Sequence, residues 1–179
     1  MSSAELVWAH DTPEGVADVG EVRLSEYAVA IVGHGADKFT EAGEARARAV
    51  IRALLLGATS MVSGHSPVGG IDIWAEEEAR RAGIALDLKE PTALAWDPPG
   101  GYGFKARNQD IARTGAACHV ILADSYPPGY KGRRFATCYH CARIDRATPE
   151  HPKSGGCWTG AYALRLGKPA IWHVVANAP

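Results

Sequence analysis

Apolar positions along the chain alternate between two rhythms. Tyr27–Val32 is a near-continuous apolar run ending in Gly33-His34-Gly35, the pattern of a strand buried on both faces. From Thr40, a plausible cap, the period changes. Ala47, Val50, Ile51, Leu54 and Leu55 recur at i, i+3, i+4, i+7 and i+8 and predict a helix to Leu56, with Gly57 as its stop. A short strand at Ser60–Ser63 follows, then a helix from Ile71 to Ala82, closed by Gly83, and a strand at Ile84–Leu88. A helix through Arg107–Arg113, a strand at Cys118–Ala123, a helix at Trp158–Leu166 and a strand at Ala170–Val175 complete the series. Such alternation predicts an α/β fold: a Rossmann-like three-layer sandwich whose parallel sheet has about five strands joined by right-handed crossovers. Ligands of such sheets bind beyond the carboxyl ends of the strands, at the topological switch point.

Three stretches depart from this rhythm. Residues 1–26 read as an irregular arm, with Val22 and Leu24 as a short edge strand, and 27–179 as a single domain. Residues 91–104 interleave prolines and glycines with Trp96, Tyr102 and Phe104, a long loop of the kind that tends to carry function. Residues 124–153 hold Cys138-Tyr139-His140-Cys141, six basic side chains and few apolar ones. They predict an insertion, at about 126–153, without a core of its own.

Composition narrows the function classes. A formal net charge of -1 on 179 residues supplies no global field toward nucleic acid or anionic lipid, so nucleic acid is disfavoured as a partner. Met1 to Asp18 lacks the apolar core of a signal peptide, and no apolar run approaches the ~20 residues that span a bilayer. A cytoplasmic location without a membrane partner is expected. Four cysteines then point to metal or redox chemistry rather than a secreted disulfide framework.

Three Gly/Ser-rich pieces fall at strand ends or helix starts, where backbone N–H groups can be aimed at a phosphate. Gly33, His34 and Gly35 follow the first strand; they contact a ligand or simply let the chain turn. Ser63, Gly64, His65, Gly69 and Gly70 deliver the chain to the second helix, whose partial positive charge favours an anion. Asp72 there complements the helix dipole or accepts a ribose hydroxyl. Ser154, Gly155 and Gly156 repeat the arrangement at the last helix, with Thr159 close behind. Arg107 can grip a phosphate with paired bonds, Asn108 beside it, while Trp96, Tyr102 and Phe104 either stack on a base or form the loop's own small core. Glu76, Glu77 and Glu78 form a charge run, ordinarily a solvated face.

These motifs carry a resemblance. The glycine-marked first strand, the loop SGHSPVGGID with the helix WAEEEARRAGI, the Trp loop followed by Arg107-Asn108, and SGGCWTGAYALRLGKPAIW resemble the SLOG superfamily of Rossmann-like proteins. Its members include the Lonely Guy phosphoribohydrolases and the DNA-processing protein A family. The Trp96 to Asn108 stretch is most similar to small bacterial and phage members of the YspA type. The likeness covers about residues 27–125 and 153–176. It implies a nucleotide-derived ligand held by the two glycine loops, and homodimers are common in the family. It does not imply a reaction: in the phosphoribohydrolases a catalytic glutamate follows the second glycine loop, and Tyr162 stands at that position here. A phenol with a pKa near ~10 is a poor base at neutral pH. Cleavage of an N-glycosidic (phosphoribosyl) bond is therefore the alternative to binding, with no catalytic residue assigned, and a DNA-processing accessory role is the second alternative.

The insertion and its exit offer a metal site. Cys138 and Cys141 have zinc-knuckle spacing and His151 is the best third ligand, with Cys157 and His140 competing as the fourth. A structural zinc is expected, and no organic cofactor is required. Cys118, inside a strand, is expected in the core.

Overall fold

The computed structural model describes residues 27–178. The N-terminal arm and its proposed edge strand lie outside them. Five strands form one all-parallel sheet: β1 (Ala28–Gly33), β2 (Ser60–Ser63), β3 (Ala85–Leu88), β4 (Ala117–Ala123) and β5 (Ala170–Val175). Their spatial order is β3-β2-β1-β4-β5. The chain winds outward from β1 to β3, then returns to lay β4 on the other flank of β1. The switch point therefore lies between β1 and β4, where Gly33 pairs with Ile121.

Four helices cover the sheet: α1 (Glu41–Leu55), α2 (Ile71–Arg81), α3 (Phe104–Thr114) and α4 (Gly156–Arg165). Strand alternation divides the core into two layers. Val29 and Ile31 of β1, with Ile121 of β4, pack against Ala47 and Ile51 of α1 and Ile71 and Ala75 of α2. Ala30 and Val32, with Val120 and Leu122, pack against Ile111 of α3 and Ala163 of α4. Cys118 is in this second layer, where burial pushes its thiol up to about 12.

Thr40 caps α1 by accepting from the Gly43 N–H. α3 begins at Phe104, three residues before the apolar pattern placed it, because the Phe104 N–H and its neighbour Lys105 bond back to the Trp96 loop at the Ala95 and Trp96 carbonyls. α4 likewise begins at Gly156, two residues early. The insertion contains a single 3-10 turn, Cys141–Arg143, among the described residues. It is anchored from within: Cys138 and Cys141 are buried in the second core layer, with Ile144 packed against it.

The three glycine loops stack on one another at the switch point. Gly70 adopts φ 84°, and a β-carbon there would sit 2.4 Å from the His34 carbonyl oxygen, so only glycine fits. The Ile71 N–H donates to that same carbonyl. From the other side, a β-carbon on Gly156 would lie 3.0 Å from the Gly33 Cα.

Candidate functional site

His34 is the peg of this crossing. It is 3% exposed, its Nδ1 accepts from the Ala123 N–H and its Nε2 donates to the Pro152 carbonyl. Burial lowers its pKa to about 4. Both ring nitrogens are spent on backbone, so the side chain ties β1 to β4 and to the end of the insertion.

Ser154 sets the start of α4. Its Oγ accepts from the Gly156 N–H and donates to the Gly33 carbonyl, which fastens the last glycine loop to the first. Arg107 projects from α3. Its Nε and Nη2 both donate to Asn108 Oδ1, and its Nη1 donates to the Gly64 carbonyl. Asn108 thus holds the guanidinium in place. Gly64 lets Asp72 and Arg107 close around it, since a β-carbon there would lie 2.9 Å from Asp72 Oδ2 and 3.0 Å from Arg107 Cζ. Burial pushes the Asp72 carboxyl up to about 6 despite the opposing Arg107 charge.

Two adjoining hollows lie beside the first and last glycine loops. One, of about 250 Å³, is walled by Gly33, His34, Gly35, Lys38, Tyr126, Tyr130, Arg133 and Phe135, together with Lys153, Ser154 and Gly155. The other, of about 560 Å³, shares Lys153 and Gly155 and adds Trp96, Phe104, Arg107, Asn108, Tyr139, His140, Arg143 and Trp158. Trp96, 44% exposed, meets Trp158 edge-on with ring centres 5.0 Å apart. The walls thus carry Lys38, Arg107, Arg133, Arg143 and Lys153, several aromatic rings and no carboxylate.

The second glycine loop stands apart from this cleft. Gly64, His65, Gly69, Gly70 and Asp72 do not wall either hollow, and Ser63 and Thr159 are enclosed. Tyr102 turns to α3, where its hydroxyl donates to Asp110. Tyr162 stacks on Trp158 with rings 4° from parallel and accepts from Arg113 through its hydroxyl.

The expectation of a solvated Glu76–Glu78 face is corrected. Glu76 is fully buried, accepting from Ser63 Oγ at 2.8 Å, from Arg80 and from His65 Nδ1 at 2.9 Å. His65 itself sits at φ 47°. Glu78 is nearly as buried and pairs with Arg48, Arg52 and Arg81, joining α1 to α2. The signal was present: Glu76 follows Asp72 by four residues and precedes Ala79 by three, on the inward stripe of α2.

The metal ligands proposed from the sequence converge. Ligand atoms of Cys138, Cys141, His151 and Cys157 all lie within 4.8 Å of one another, and all four residues are buried. Tetrahedral thiolates on zinc stand roughly 3.8 Å apart for Zn–S bonds of about 2.3 Å, a spacing within the span of this set. His151 Nε2 lies 3.2 Å from Cys157 Sγ and 3.4 Å from Cys141 Sγ, while its Nδ1 donates to the Pro149 carbonyl. That bond fixes the tautomer that presents Nε2 as a ligand. Hydrogen bonds from Cys141 and Cys157 hold the Cys138 thiol below the usual range, and the same crowding raises Cys157 above it. A divalent cation held by the four would take the place of the shared protons. Between the two competing fourth ligands the geometry favours Cys157; His140 lies outside the set, tilted against Tyr139 and facing the cleft.

No protein-family model matches the chain, and no curated protein matches it. Among solved structures it is similar to the molybdenum cofactor carrier protein MCP from Chlamydomonas reinhardtii, with a TM-score of 0.52 and 13% identity over 85% of this chain and 91% of that one. The likeness is one of fold. It agrees with the Rossmann-like strand order, five parallel strands with the crossover reversal beside β1.

Proposed function

We propose that the protein binds a nucleotide-derived small molecule in the cleft beside the switch point, as a SLOG-type domain. One observation carries the reading: five cationic side chains and a set of aromatic rings wall the two joined hollows, and no carboxylate does. A phosphate suits the cations and the opening turn of α4. A base suits Trp96, Trp158 and Tyr139. The hollow beside Arg107, at about 560 Å³, is within the roughly 300–1,000 Å³ typical of small-molecule sites. The fold neighbour is a carrier of a molybdenum-containing cofactor, which supports small-molecule carriage in general.

Arg107, held by Asn108, and Lys153 take the anionic end, with Gly33, Gly35, Ser154 and Gly155 as the floor. The Ser63 loop supports from behind: Asp72 and the Gly64 carbonyl position Arg107, and His65 and Ser63 are pinned by Glu76. Binding is favoured over hydrolysis because Tyr162 occupies the position of the catalytic acid and is engaged with Trp158 and Arg113.

Cys138, Cys141, His151 and Cys157 hold one structural zinc ion in this reading, a closed four-ligand set without an open position for chemistry. The metal also builds the cleft, because Tyr139 and His140 lie between the first two ligands and Lys153 to Gly155 between the last two. The test is to purify the protein gently, denature it and identify released small molecules by mass spectrometry, with metal content measured on the same sample. A stoichiometric nucleotide derivative and about one zinc per chain are expected. A ligand without a base or phosphate would overturn the first assignment, and less than about half an equivalent of zinc the second.

A further inference from the structure

The cleft does not end at Trp158. Beyond it lies a third hollow of about 320 Å³ that shares His140, Arg143 and Trp158 with the Arg107 hollow and adds Arg146 and Arg165. These three hollows form one groove, each joined to the next by shared wall residues, and two further hollows adjoin it at Tyr126, Tyr130 and Phe135.

Charge along this groove is segregated from the rest of the molecule. Elsewhere the cations are largely neutralised: Arg48, Arg52, Arg80, Arg81, Lys89, Lys105 and Arg113 all pair with carboxylates. In the groove Lys38 pairs with Asp37, whereas Arg133, Arg143, Arg146, Lys153 and Arg165 make no ion pair among the described residues. Asp145 is the acid in the walls of these three hollows, and Asp37, Asp124 and Glu150 wall the two hollows that adjoin them at the Tyr126 and Tyr130 end. A near-neutral chain therefore carries a local positive track, which the net charge of -1 conceals.

Rings accompany the charges. Tyr126 and Tyr130 stack at one end with centres 4.6 Å apart, Phe135, Tyr139 and His140 follow, and Trp158 stacked on Tyr162 stands at the other. Lys153 lies 5.5 Å from both the Phe135 and Tyr139 rings, and Arg165 packs beside Trp158 and Tyr162. Repeated cations beside repeated rings suit a polymer with a phosphate and a flat base in every unit. A lone nucleotide would use one hollow and leave the other cations unanswered.

We propose that the groove from Tyr126 to Arg165 binds a single-stranded oligonucleotide of a few units. The proposal rests on the nucleotide reading of the Arg107 hollow and extends it through Arg143 to Arg146 and Arg165. The shared chemistry is that of DNA and RNA strands alike.

The experiment is a length series on the full chain at fixed low salt: a nucleoside monophosphate, then single strands of two, four and six units in deoxy and ribo forms. A blunt duplex and a polyglutamate of matched charge serve as competitors. Affinity is expected to rise roughly tenfold or more from monomer to hexamer and to fall with added salt. Either sugar form showing this supports the proposal, and the ratio of the two arms identifies which strand is preferred. Arg146→Ala with Arg165→Ala, both exposed, is expected to erase about tenfold of the hexamer's gain and leave the monophosphate unchanged. Monophosphate binding without any gain in length overturns the proposal but leaves the small-molecule reading intact. Absence of all binding overturns both. Equal competition by the duplex or by polyglutamate overturns it too, because neither offers unpaired bases to the rings.

Discussion

His34 offers the most direct physical test of how the switch point is assembled. Its ring is buried and neutral, bridging the Ala123 N–H and the Pro152 carbonyl. Its pKa is about 4 in the folded chain against an ordinary 6.5. Between those values the unfolded chain binds a proton that the folded one does not. Stability from this group is therefore complete above pH 6.5 and is lost as the pH falls toward 4, by about 3 kcal/mol in all. About 2 kcal/mol of that has gone by pH 5. His34→Gln keeps a donor and an acceptor but cannot titrate. Urea unfolding of both proteins at pH 7 and pH 5 isolates the contribution, since His119 and His173, whose pKa values burial also lowers, are common to both. The stability difference between wild type and variant is expected to shrink by about 2 kcal/mol on acidification. A pH-independent difference would refute the buried, neutral bridge.

Gly70→Ala, forced to φ 84° against the His34 carbonyl, is expected to cost about 3 kcal/mol or more in urea unfolding; a change under about 1 kcal/mol would contradict the loop crossing. Cys157→Ser is expected to lose zinc and expose residues 124–153 to limited proteolysis while the sheet persists, with retained metal arguing against the ligand set. Glu76→Ala leaves Ser63, His65 and Arg80 without their shared acceptor and is expected to destabilise by about 3 kcal/mol, as thermal unfolding would show.

Much of the fold was legible because burial imposes periodicity. β1 and β4 are enclosed by helices on both faces, so their apolar runs stand out, and α1 shows its inward stripe without ambiguity. Where hydrogen bonding from outside an element decides its start, as at Phe104, the sequence pattern carries less information. The Cys/His site was readable from ligand types and spacing, but the choice of Cys157 over His140 needed the fold, because α4 brings a distant cysteine under the insertion. Glu76 was obscured by its neighbours: three successive glutamates read as one solvated run, although two turn inward. Net charge misled in the same way, since a sum over the chain cannot register that cations such as Arg143 and Lys153 lie together in a groove without an ion pair among the described residues.

In the proposed function Arg107 and Lys153 hold a nucleotide-like anion in the cleft beside the switch point. Calorimetric titration of a panel of nucleoside mono- and diphosphates into the wild type and into Arg107→Ala/Lys153→Ala tests it most directly. Saturable binding of at least one member is expected, weakened at least tenfold in the double variant. No saturable binding across the panel, or equal affinity in both proteins, would contradict it.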